Sequence, residues 1–377
     1  MSVRVQPITR EEHLAFVAAR PSASHTQVPA WGEVKPDWQA ESLGWFDRSG
    51  QLVGAGLVLL RPLPGPRLPG LPRHFAYLPE GPLLDWHEPG LERLLQPMLT
   101  YLKQRGAFAV RMGPPVVVRR WSAETVKAAI ADPAARRLRD VRATSYETRA
   151  GRVADVLRHM GWRQTPSGEN GFAAGQPRHV FQVPLAGRSL LEIHDGLNQQ
   201  WRRNIKKADN AGVKVVRGDL ADLPVFHGLY TETAERDGFL PRPLPYFQRM
   251  WNALTAEHPD RMRLYLAHHD GEVLAAATML TVGDHVWYSY GASTARRREV
   301  QPSSAVQWRM LSDAHELGAS VYDLRGITDT LEESSPLLGL LRFKVGTGGE
   351  AVEYLGEWDH PLNSLLYKAF SLYLARR

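Results

Sequence analysis

One order of elements is written twice along the chain, and this duplication constrains the fold more than any single motif does. The first copy has a strand ending at Trp45-Phe46, a turn over Asp47-Arg48-Ser49-Gly50, and a strand from Leu52 to Leu60. A third strand follows near 75–78. Next comes a helix whose apolar residues Leu91, Leu94, Leu95, Met98, Leu99 and Leu102 recur at helical spacing. Gly106 supplies its C-cap, and 107–112 reads as the closing strand. The second copy places strands at 263–267 and 272–280 around an Asp270-Gly271 turn, then a strand over 285–290. Its helix opens near Ser303, carries Val306, Met310, Ala314 and Leu317, and ends at Gly318 before a strand over 319–324. Mixed segments can look alike by chance, but five elements in matching order, both helices closed by Gly-Ala, favour duplication.

The expected fold class is therefore α/β (α+β), in two tandem domains over 1–150 and 151–359. A C-terminal helix within 360–377, with Leu365, Leu366, Phe370 and Tyr373, is expected to pack back on the first domain. The Pro/Gly-rich stretch 61–72 reads as a surface loop, and the Arg-rich segment 116–150 as a helical connection between the halves.

A chain of 377 residues with 43% hydrophobic content can bury two cores without staples. Its longest apolar stretch, 52–60, is far short of the ~20 residues that span a bilayer. Glu11, Glu12 and His13 stand where a signal peptide would be apolar, so a cytoplasmic location is expected. The absence of cysteine excludes disulfides, thiol nucleophiles and Cys-based zinc sites. The net charge of +6 suits an anionic partner. Of its cations 38 are Arg and only eight are Lys, so each Lys marks a place where a compact ammonium was kept.

No phosphate loop, dinucleotide fingerprint, H-E-x-x-H or G-x-S-x-G motif is present, so neither a metal nor a cofactor is expected. Basic residues concentrate at Trp201-Arg202-Arg203-Asn204-Ile205-Lys206-Lys207. On a helix these form like-charge i, i+4 pairs, mildly destabilising without an anion, and the segment reads as a phosphate-backbone contact or as an exposed solvated face. In 239–246 three prolines stiffen a segment carrying Arg242 and Tyr246, which reads as an anion site or as a rigid connector. Tyr288 and Tyr290 are expected on one side of their strand by period two. Phe343-Lys344 precedes a glycine-rich turn, where a lysine is either structural or placed to face an oxyanion.

Taken together these segments resemble the Fem family (FemABX) of non-ribosomal aminoacyltransferases, which attach amino acids from aminoacyl-tRNA to the peptidoglycan stem peptide. The resemblance runs from about 27 to 363. It is carried by QVPAWGEVK (27–35), FAYLPEGPLLDW (75–86), RRNIKKADNAGV (202–213), YSYGAS (288–293), YDLRGI (322–327) and FKVGTGGEAVEYLGEWDHPLN (343–363). It implies two tandem GNAT-like domains, in agreement with the duplication. It also implies that Lys35, Arg242 and Tyr246, with Tyr288 or Tyr290, bind the nucleotide-sugar acceptor, and that Lys344, beside Phe343, stabilises charge as the ester is attacked. Arg202, Arg203, Lys206 and Lys207 would suit the tRNA acceptor end.

The implied partners are aminoacyl-tRNA and UDP-MurNAc-pentapeptide or lipid II, with no DNA and at most peripheral membrane contact. Glu80 stands where the family often has Arg, and Gly113 where an acidic residue is common, so no general base is expected at Gly113. The coiled-coil arm of some relatives is missing from the pattern, which favours the soluble acceptor. Two rivals remain: an acyl-CoA-dependent N-acyltransferase, disfavoured because Gln301-Pro302-Ser303-Ser304 lacks a glycine-rich pyrophosphate loop, and a tRNA-binding protein without catalysis.

Overall fold

The structure is a computed structural model that describes residues 3–63, 73–166 and 175–375. Residues 64–72 of the expected surface loop lie outside the described residues, while Arg61 and Pro62 complete the strand Leu52–Pro62. The chain forms two compact units: 1–119 with 145–178 and 353–377, and 120–144 with 179–352.

In the first unit the sheet order is Arg4–Pro7, Gln39–Phe46, Leu52–Pro62, His74–Leu78, Ala107–Met112, Trp358–Pro361 and Arg163–Gln164. Every neighbouring pair is antiparallel except His74–Leu78 with Ala107–Met112, the pair joined through the helix Glu92–Gln104. Parallel neighbours need such a crossover. The helix buries Leu95, Met98, Leu99 and Leu102 against Leu43, Val58, Leu78 and Trp358. Trp45 Nε1 donates to the carbonyl of Leu94 at 2.8 Å, so its buried indole is satisfied. The helix Ser364–Ala375 sets Phe370 5.1 Å from Phe75 and 5.4 Å from Phe108, ring centre to ring centre.

The second unit repeats this design. The first six strands of its sheet run in the order Lys214–Gly218, Met262–His269, Glu272–Val282, His285–Ser293, Val321–Gly326 and His179–Pro184, and Glu350–Tyr354 follows. The pairings are again three antiparallel, one parallel and one antiparallel, with the helix Pro302–Glu316 in the crossover. That succession matches the first six strands of unit 1 pair for pair. The sixth strand differs in origin: in unit 1 it comes from the end of the chain, in unit 2 from 179–184.

The division of the chain differs from the expected domains of 1–150, with the helix of 360–377 packed back on it, and 151–359. Segment 120–144 holds the helix Ala123–Ala131 and belongs to unit 2, because Trp121, Val126 and Leu138 are buried in one cluster with Tyr265, Met310 and Tyr322. The segment is also less helical than expected, since it enters through the strand Val117–Ser122. Residues 145–178 and 353–377 complete unit 1. The longest helices among the described residues, Leu223–Asp237 and Pro302–Glu316, have 15 residues and span about 22 Å, so none forms a coiled-coil arm. None is long and apolar enough to cross a membrane.

Candidate active site

Lys344 lies in the last turn of the helix Leu338–Val345 and is 3% exposed. Its Nζ donates to the carbonyl of Gly326 at 2.6 Å and is 3.4 Å from that of Arg325. Burial pulls its pKa down from 10.5 to about 7; the Asp323 carboxylate works against that shift and the Arg325 guanidinium with it. An ammonium brought towards neutrality by burial, and held in place by two carbonyls, suits a group that must meet developing negative charge.

The same helix is docked on the basic segment. Asn198 caps the helix Gln199–Asn210, accepting from the amide of Trp201 at 2.9 Å, while the amide of Asn198 donates to the carbonyl of Gly346. Trp201 Nε1 donates to the carbonyl of Phe343 at 2.9 Å, and the two rings lie 4.7 Å apart. Only glycine fits at 346, where a Cβ would fall 2.4 Å from Trp201 Cδ1. The four cations expected to act together divide into two kinds. Arg203, Lys206 and Lys207 are exposed, but Arg202 is half-buried and donates to the carbonyls of Asp195 and Leu197 at 2.8 and 2.6 Å. Arg202 thus closes the end of the preceding helix, Leu190–Gly196.

Arg242, Tyr246 and Tyr290 do come together. Pro243 caps the helix Leu244–Glu257 and Pro245 lies in its first turn with Tyr246, which explains how residues four apart meet. The Arg242 guanidinium sits 4.8 Å from the centre of the Tyr246 ring, and the hydroxyls of Tyr246 and Tyr290 are 3.2 Å apart. Burial and the neighbouring Tyr290 hold the Tyr246 phenol well above its usual range, so it stays a neutral donor. Two hydroxyls and a guanidinium form a donor set for a phosphate or sugar.

Tyr288 does not join them, contrary to the expectation that it shares a face with Tyr290. The strand carries a bulge: Tyr290 pairs with Thr278 and Tyr288 with the next residue, Met279, leaving Ser289 as the extra residue. The period of two is broken there, so the tyrosines face opposite sides. Tyr290 packs on Phe247 and Tyr230, whereas Tyr288 packs against the cluster containing Met279 and Val286.

In unit 1, Lys35 follows the helix Ala30–Glu33 and places its ammonium 5.5 Å from the Trp31 ring. The same unit contains a group that sequence reasoning left without a role. Glu357 is 6% exposed and accepts from the Tyr77 hydroxyl at 2.5 Å and from the amide of Gln176 at 3.3 Å. Burial raises its pKa, against the opposing hydrogen bond from Tyr77 and the charge of Arg111. A Cβ on Gly113 would lie 3.6 Å from Glu357 Cγ, so a carboxylate stands beside the position where Gly113 lacks one. Its signal was present in the Gly356-Glu357 pair of the last segment. Asp323, also unassigned, lay within YDLRGI.

Two sheets of matched pairing, each with a crossover helix, define a tandem GNAT-type architecture. A tandem GNAT protein from the clavulanic acid biosynthesis pathway superposes with a TM-score of 0.52 at 13% identity, covering 95% of this chain and 98% of its own. The crystal structure of FemX superposes with a TM-score of 0.79 at 23% identity, over 97% of this chain and 99% of FemX. The FemAB family model matches residues 8–271 and 260–374, and the chain belongs to that family. Similar proteins include the lipid II:glycine glycyltransferases of Staphylococcus haemolyticus (strain JCSC1435), 25% identical, and Staphylococcus aureus (strain MRSA252), 24% identical. Each alignment covers 96% of this chain and 93% of the relative. The protein is accordingly an aminoacyltransferase.

Proposed function

We propose that the protein transfers an amino acid from aminoacyl-tRNA to an amino group of the peptidoglycan stem peptide. The observation that carries this reading is the docking of the basic helix on the helix of Lys344 through Trp201 and Phe343. That docking supports the reading because it ties the helix of Arg203, Lys206 and Lys207 to the helix of Lys344. Arg203, Lys206 and Lys207 contact the acceptor end of the tRNA. Arg242, Tyr246 and Tyr290 bind the phosphates and sugar of the acceptor, and Lys35 is assigned to the same acceptor on the resemblance alone.

The amine attacks the ester carbonyl, a C–N bond forms, and the oxyanion that develops faces the Lys344 ammonium. Collapse breaks the C–O bond to the tRNA ribose, whose oxygen takes up a proton in balance with the one the amine loses. Exchange of an ester for an amide runs downhill without ATP. The name of the staphylococcal relatives favours lipid II over the soluble precursor, reversing the leaning taken from the missing arm.

The test is a mass spectrum of lipid II and, in parallel, of UDP-MurNAc-pentapeptide, each after incubation with the protein and a mixed pool of charged tRNA. A gain of one or more amino-acid residues on lipid II is expected and identifies the amino acid. Gain on the nucleotide precursor alone would replace the acceptor. No gain on either would overturn the reading and return the acyl-CoA and binding-only alternatives.

A further inference from the structure

The carbonyls that hold Lys344 come from an unusual piece of backbone. The strand Val321–Gly326 pairs in regular register up to Asp323 opposite Gln182, and then slips so that Gly326 stands opposite Val180. One residue is thus extra, and Arg325 adopts φ +62°, a left-handed conformation rare outside glycine and asparagine. The turn is held from within. Asp323 Oδ1 accepts from the amide of Arg325 at 2.6 Å, and its Oδ2 accepts from Gln182 Nε2 at 3.0 Å. His285 Nε2, on the adjoining strand, lies 3.4 Å from the same oxygen. Asp323 is 2% exposed; burial opposes its charge, but His285, Arg325 and Gln182 together keep its carboxyl below the usual carboxylate value. A buried carboxylate kept ionised in this way, two residues from a strained turn, is more than the strand pairing requires.

We propose that Asp323 and the left-handed turn at Arg325 are the positioning device for Lys344: the carboxylate fixes the turn, and the turn aims two carbonyls at Nζ. Neither residue touches substrate. The inference rests on Lys344 having the role given above, but the device itself is defined by the protein alone. Asp323 and Arg325 are the charged groups acting on Nζ. His285 faces Asp323 rather than the lysine. Of the helices packed on that of Lys344, Gln199–Asn210 presents Trp201, and Ala123–Ala131 turns Val126 inward while Glu124 and Lys127 remain exposed.

The test titrates the lysines of the full chain, labelled with 13C and 15N at lysine, by NMR. Eight lysines keep the spectrum simple, and the signal lost in Lys344→Met assigns the one of interest. Asp323→Asn preserves shape and removes the charge; its Lys344 midpoint is expected to fall by about one pH unit or more. Arg325→Gly accepts the positive φ and removes the opposing charge, so its midpoint is expected to rise. Opposite signs are what a merely structural role would not produce. Midpoints that stay put, or that fall in both variants, would overturn the proposal. If Asp323→Asn does not fold, Arg325→Gly decides alone: a rise supports the device, and an unmoved or lowered midpoint overturns it. Transfer rates against pH are measured on the same proteins. Midpoints that move as expected while the alkaline limb of the transfer rate stays fixed would sustain the device and remove Lys344 from the chemistry.

Discussion

Lys344 is held where its charge is least comfortable, and both stability and rate should register that. Its value near 7 in the folded protein lies below the 10.5 of an ordinary lysine, so the unfolded chain binds the proton more tightly across that interval. The contribution of this one residue to stability therefore rises as pH climbs from about 7 towards 10.5, and is most unfavourable below 7. In Lys344→Met that slope is gone. The difference in Tm, variant minus wild type, is expected to shrink from pH 6 to pH 9 in paired thermal melts. At pH 7 the same variant should lose transfer by roughly two to three orders of magnitude, as when an oxyanion donor is removed. The lysine itself was legible from its rarity in an Arg-rich chain and from the glycines after it. The carbonyls that hold it were not, because they depend on a slip in strand pairing that no residue pattern announces.

At the scale of elements, the basic helix combines a structural arginine with three exposed cations. Replacing Arg203, Lys206 and Lys207 by Ala should lower the slope of log affinity for tRNA against log salt by about two to three, with the melting temperature nearly unchanged. Arg202→Ala should do the reverse, leaving the slope and lowering Tm, because two helix-end carbonyls lose their donor. Trp201→Ala empties the space against Phe343 and Gly346 and should destabilise by about 3–5 kcal/mol, read from denaturant unfolding. The helix, its charge and its length were visible in the sequence; the division of labour within it was not, since like charges at i, i+4 look the same whether one of them turns back to carbonyls or faces water. The tyrosines teach the same point. Period two correctly describes a regular strand, and the bulge at Ser289 is the single residue that overrules it.

For the whole molecule, duplication was read correctly because it rests on order, which hydrophobic spacing and glycine stops record well. The limits of the units were not, because the sixth strand of unit 1 is recruited through space. Nothing local in Trp358–Pro361 says that it pairs with Ala107–Met112, some 250 residues earlier. Truncation after Gly356 would remove Trp358, 1% exposed, together with Phe370. Such a chain is expected to lose the cooperative melting of unit 1 while amides of the strands Glu272–Val282 and His285–Ser293 stay protected in hydrogen exchange. The origin of that sixth strand also sets a schedule for synthesis. A ribosome releases residues 120–352 before it releases the strand that pairs with Ala107–Met112, so unit 2 is synthesised before the sheet of unit 1 can close. Until Trp358–Pro361 emerges, Ala107–Met112 is an open edge, and the nascent chain must be kept from pairing that edge with a stranger.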